Sequence, residues 1–214
     1  MPRALPITVA AAASLALSAC ATTPYTGPVE VTRFVAPAPE RAGLGSGTIA
    51  ITFPDTIANE GVRTAFAAAV AAELARLGYT VVAEGAPADQ TAAIRTSRNP
   101  IAAAPLGERR GPVSVGVGGS TGSFGSGIGL GVGFDLGGGS EGPSATTELS
   151  LRIARSGGGA TLWEGRAQIA TGVKSPYSQV DTSARTLAAA LFRDFPGGNG
   201  ETVTIDVRKL QGTK

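Results

Sequence analysis

Histidine is absent from this 214-residue chain, and cysteine, tryptophan and methionine occur once each. Without histidine there is no Ser-His-Asp triad, no imidazole acid–base group and no histidine metal site. A single cysteine excludes an internal disulfide and any Cys-x-x-Cys redox or metal motif. The acids are scattered: Asp55, Asp89, Asp135, Glu148, Glu164 and Asp181 stand apart, with no close pairing in sequence for glycoside chemistry. Charge is low as well. Only 16% of residues are charged, and Arg109-Arg110 is the densest basic spot. A nucleic-acid partner is not expected from that balance.

What is present begins at the N-terminus, MPRALPITVAAAASLALSAC. One basic residue (Arg3), an apolar run from Ile7 to Leu17 and small residues before Cys20 are the parts of an export signal. The run is about ten residues, against about 20 for a spanning helix. Leu17-Ser18-Ala19-Cys20 has the form of a lipobox, the recognition site of lipoprotein signal peptidase. Only a thiol takes the diacylglyceryl thioether, and small residues at Ser18 and Ala19 let the extended backbone enter the peptidase. An ordinary signal followed by a chance cysteine is the alternative. The sole cysteine stands at the one position a lipobox requires, which argues against it.

The expected organisation is therefore a signal over 1–19 and a lipidated N-terminus with a polar tether over 20–28. A single domain over 29–207 and a tail over 208–214 complete it. Several acyl chains on Cys20 give firm anchoring, since one chain binds only marginally. Ala21 and Thr22 replace the aspartate that retains lipoproteins in the inner membrane. The expected location is the outer membrane, facing the periplasm.

Periodicity outlines the domain. Val29–Val35 alternates as a strand and is ended by Pro37 and Pro39, and Gly47–Phe53 is a second β-rich run. A helix is predicted over Asn59–Leu77, where Val62, Phe66, Val70, Leu74 and Leu77 form one stripe. Asn59 is its N-cap and Gly78 its stop. Strands follow at Tyr79–Ala83 and, more weakly, Thr91–Ser97. Ser144–Ile153 and Ala160–Thr171 read as a hairpin joined by Ser156–Gly159. A second helix spans Gln179–Asp194 with Val180, Ala184, Leu187, Leu191 and Phe195 on one face, and a last strand spans Thr202–Val207. The predicted class is α+β: a mostly antiparallel sheet of about six to eight strands with two helices packed on one face.

Residues 111–142 hold nearly half of the chain's 31 glycines. Gly125, Gly127, Gly129, Gly131 and Gly133 alternate with Ile128, Leu130, Val132 and Phe134, which predicts a glycine-rich hairpin with one bare and one apolar face. The run lacks the strand-to-helix setting of a dinucleotide loop and contains no G-x-x-x-x-G-K-[ST], so no nucleotide or other cofactor is expected. Two readings stay open for it. Glycine admits a close backbone approach, or the apolar edge of Ile128, Leu130, Val132 and Phe134 meets a partner protein or the membrane surface. Trp163, the only tryptophan, is either core or a stacking surface for a ligand. It joins those four residues as a candidate interaction residue. No catalytic and no metal-ligating residue is assigned.

The stretches GPVSVGVGGSTGSFGSGIGLGVGFDL (Gly111–Leu136), TTELSLRI, TLWEGRAQ and LAAALFRDFPGGNGETV together resemble proteobacterial lipoproteins grouped as domain of unknown function 4136. The resemblance covers roughly Val29–Val207. It implies the same compartment and a single domain, and supplies no catalytic residue. The expectation is a non-enzymatic scaffold or binding module, with the membrane held through the lipid and an envelope protein as candidate partner. The alternative is an accessory subunit of an envelope lipid-transport or peptidoglycan-synthesis complex.

Overall fold

A computed structural model describes residues 23–54, 59–101 and 142–210. Cys20 with Leu17, Ser18 and Ala19 lies outside those residues. So do Ile128, Leu130, Val132 and Phe134 and, apart from Gly142, the glycine-rich hairpin expected over 111–142.

The described elements run β1 (Thr26–Val35), β2 (Thr48–Thr52), α1 (Glu60–Arg76), β3 (Thr80–Val82) and β4 (Gln90–Pro100). They continue with β5 (Ala145–Arg155), β6 (Thr161–Thr171), α2 (Val180–Phe192) and β7 (Glu201–Ile205). The strands form one seven-stranded sheet in the order β3-β2-β4-β5-β6-β1-β7. The class is α+β with two helices. The sheet, however, is mixed. β4, β5, β6, β1 and β7 pair antiparallel in succession, whereas β2 pairs parallel with both β3 and β4. The direction of β2 follows from α1, a helical crossover that returns the chain parallel to the strand it left. Alternation of apolar residues reports which face a strand buries, not which way it runs.

Local signals set the helix ends. The Asn59 side chain accepts the Val62 N–H at 3.2 Å, and Gly78 takes φ +103° past the last turn of α1, a conformation that favours glycine. Phe66, Val70 and Leu74 of the predicted stripe are buried, with Val62 and Leu77 partly so. In α2, Ala184, Leu187 and Leu191 are fully buried, while Val180 at its start is 39% exposed. α1 and α2 touch each other, and their apolar residues join one core with Val29, Val31, Ile49, Ile94, Leu149, Ile153 and Ile169 of the sheet.

The opposite face of the sheet is polar. Arg166 stands 3.4 Å from Glu148 and Arg152 3.7 Å from Glu164, and Gln168 Nε2 donates to Glu30 Oε2 at 2.7 Å. Partly exposed pairs of this kind contribute at most about 1 kcal/mol each. They make the face comfortable in water rather than stable.

Candidate functional site

One row of the strand register organises the molecule. Thr26 pairs with Thr171, Thr171 with Ala145, and Ala145 with Pro100. The start of β1, the end of β6, the start of β5 and the end of β4 therefore share one end of the sheet. Backbone bonds carry the ladder past that row. Gly172 N–H donates to Tyr25 O, Ser144 N–H to Thr171 O and Ile101 N–H to Ser144 O, each at 2.9 Å. The segment that follows Cys20 arrives at this end. The chain also departs here at Ile101 and resumes here at Gly142.

Beyond Gly172 the chain bends sharply, and small hydroxyl residues hold the bend. Ser175 N–H donates to Gly172 O at 3.1 Å. The Ser175 hydroxyl, on a residue 1% exposed, shares a 2.7 Å hydrogen bond with that of Thr26 and accepts the Tyr177 N–H at 3.2 Å. Ser178 Oγ donates to Val173 O at 3.1 Å. Held in this way, Val173 stands 77% exposed. Lys174 beside it is exposed, as is Arg98, whose Nη1 donates to Ser178 O at 2.8 Å. Tyr25 is half-buried at the same end, and burial pushes its phenol above the ordinary range.

The other end of the sheet is closed by aromatic packing. Val35, Trp163, Ile153 and Ala92 form the corresponding row there. Trp163 is fully buried. Its ring stacks on Phe192 with centroids 5.6 Å apart and meets Phe195 at 5.3 Å, and its Nε1 donates to Pro196 O at 2.9 Å. As a candidate interaction residue it is corrected: it offers no surface. The physical reason is Gly165. Residues two apart on a strand share a face, and a glycine there leaves room for the indole to lie down into the core.

Sequence reasoning passed over Arg33. It occupies a core-facing position of β1, 2% exposed, and closes the last turn of α2: Nε donates to Leu191 O and Nη2 to Ala190 O, both at 3.1 Å. A cation at a helix C-terminus meets unpaired carbonyls and the negative end of the macrodipole. Burial pulls its pKa down, against the raising pull of Glu201 and Asp194. The signal was legible: Val29, Val31, Arg33 and Val35 alternate, so the arginine had to face the core. Val173 had no such signal, because its exposure depends on the bend around it.

Among the described residues no group of three or more acids, cysteines or histidines could hold a metal ion. No helix among them is long and apolar enough to cross a membrane. The geometry that stands out is the convergence of chain segments at one end, with an apolar tip and two cations beside the entry point of the N-terminal segment.

No family model matches the chain, and no curated protein matches it. Among solved structures it is similar to a PDZ domain protein from Parabacteroides distasonis ATCC 8503, with a TM-score of 0.49 and 16% identity. That alignment covers 92% of this chain and 42% of the other, so this chain spans less than half of the protein it matches. It is also similar to the PelC dodecamer from Paraburkholderia phytofirmans. Two structures of it give TM-scores of 0.37 and 0.36 at 11% and 12% identity, covering 76% of this chain and 92% and 93% of theirs.

Proposed function

We propose that this chain is an outer-membrane lipoprotein of the domain of unknown function 4136 type, anchored through Cys20 and facing the periplasm. Its domain works as a scaffold or binding module rather than as an enzyme. The observation that carries this reading is the sole cysteine, set in Leu17-Ser18-Ala19-Cys20 behind a short apolar run. It stands only a few residues ahead of β1, which begins at Thr26. A lipid at Cys20 then holds the domain against its membrane, since so short a segment has little reach. The non-catalytic part draws on composition: the chain has no histidine, and its only thiol is the one the lipid would occupy.

Radiolabelled palmitate enters the wild-type chain in cells and does not enter Cys20→Ala; equal labelling of the two refutes the anchor. Crosslinking with mass spectrometry on intact cells reads the scaffold role, through stoichiometric capture of an envelope protein. A hydrolytic activity abolished by one serine or carboxylate substitution would overturn it.

A further inference from the structure

The lipid-anchored reading leaves open whether the domain hangs from its tether or rests on the bilayer. We infer that the end of the sheet bearing Val173 is seated on the lipid surface, with Val173 in the headgroup layer. This inference rests on the anchor at Cys20 and deepens it.

Three observations converge. The first is the placement of exposed apolar side chains. The large hydrophobics exposed among the described residues are Phe34, Val173 and Val180, and two of these belong to the end where the N-terminal segment enters. Val173 is not on a loose arm. Hydrogen bonds through Gly172, Ser175 and Ser178 fix the bend that presents it. Among the described residues the bend presents Val173 outward, 77% exposed, at a fixed place on this end of the sheet.

The second is reach. Thr23 is the first described residue, three residues after Cys20. Three fully extended residues span about 10 Å. The headgroup region is about 5–8 Å deep on each side of the bilayer. With its thioether in the interface, the anchor therefore holds Thr23, Tyr25 and the neighbouring bend within contact distance of the headgroups.

The third is chemistry. Exposed Lys174 and Arg98 flank the tip, with Asp181 the exposed carboxylate nearby among the described residues. Long cationic side chains reach phosphate while their stems lie on apolar surface. Tyr25, half-buried with its ring at the entry point, is a residue type enriched at membrane interfaces. An apolar tip, an interfacial tyrosine and two cations around a lipid attachment match a phospholipid surface better than a protein groove, which would need a larger apolar patch.

The test uses the full lipidated chain in phosphatidylethanolamine–phosphatidylglycerol vesicles, with an environment-sensitive fluorophore on Val173→Cys. Its control carries the fluorophore on Glu40→Cys, an exposed position just past β1 at the far end of the sheet. Cys20 is blocked by its thioether, so each variant labels once. The expected result is a blue-shifted emission at position 173. Brominated acyl chains then quench it by more than about half, because a side chain in the headgroup layer lies within about 10 Å of them. The probe at position 40 stays solvent-like and unquenched. Protein that floats with the vesicles while its probe at 173 stays solvent-like overturns the inference and leaves the anchor standing. A probe at 173 shielded from water yet insensitive to bromination also overturns it, since protein then covers the bend. Protein that fails to float refutes the anchor, and the inference with it.

Discussion

Gly165→Ala puts the packing of the far end to a quantitative test. A Cβ built on Gly165 lies 2.3 Å from Trp163 Cη2, 2.9 Å from Trp163 Cζ2 and 2.7 Å from Leu191 Cδ1. Carbon atoms settle about 3.5–4 Å apart, so one added methyl forces the indole to move. Its neighbours do not yield easily, because Trp163 and Leu191 are both fully buried. Overpacking of this kind costs about 1–3 kcal/mol. Rotation of the ring also breaks its bond to Pro196 O, about 1 kcal/mol, and its stack on Phe192, about 1 kcal/mol. Replacing glycine restores less than about 1 kcal/mol through the unfolded chain. The net is a loss of about 2–4 kcal/mol, which for a domain of this size lowers Tm by about 6–12 °C. Thermal unfolding followed by far-UV circular dichroism measures the loss. Trp163 is the only tryptophan, so its emission reports the displacement directly. A Tm within about 1 °C of wild type, with unchanged emission, would refute the packing argument.

Two further substitutions probe buried polar groups. Arg33→Met keeps the length of the side chain and removes its donors to Ala190 O and Leu191 O; Ala190 O keeps the Arg193 N–H at 3.3 Å, so a loss of about 1–3 kcal/mol is expected, chiefly from the buried Leu191 carbonyl, read by urea unfolding. Tyr79, 4% exposed, accepts the Gly45 N–H at 2.7 Å and donates to Gln90 Oε1 at 3.1 Å. Burial raises its pKa above the free phenol's, so the folded state favours the neutral form. That contribution is complete below about pH 10 and is lost as pH rises through the folded value. Tyr79→Phe should cost about 1 kcal/mol at neutral pH and remove this alkaline step, with faster hydrogen exchange at Gly45.

Both helices were legible because each carries an apolar stripe, and α1 has caps as well, which are local chemistry, whereas Gln179 at the start of α2 makes no side-chain cap bond. Asn59 and Gly78 announce their roles whatever the rest of the chain does. The hairpin of β5 and β6 was legible for a similar reason: two alternating runs flank Ser156–Gly159, and Gly157 and Gly158 adopt the positive φ that the turn requires. The parallel pairing of β2 was not legible, since partner choice is a property of the assembled sheet. Trp163 shows a middle case. Its two readings could not be separated until Gly165 was recognised as the empty space on the same face of the strand. The convergence of Thr26, Thr171, Ala145 and Pro100 in one row depends on register across four strands, which no window of sequence contains.

The partnership of Pro100 with Ala145 has a consequence for how this gene can change. β4 and β5 are the arms of one hairpin, zipped from Gln90–Arg155 up to that last pair, and the glycine-rich stretch is what connects them. Extending a flexible connection from about five residues to about 40 costs only about 2 kcal/mol of closure entropy. The described ladder ends at that pair, so a change in the length of chain beyond it bears on closure entropy, while the described strands stay under the constraints of their core.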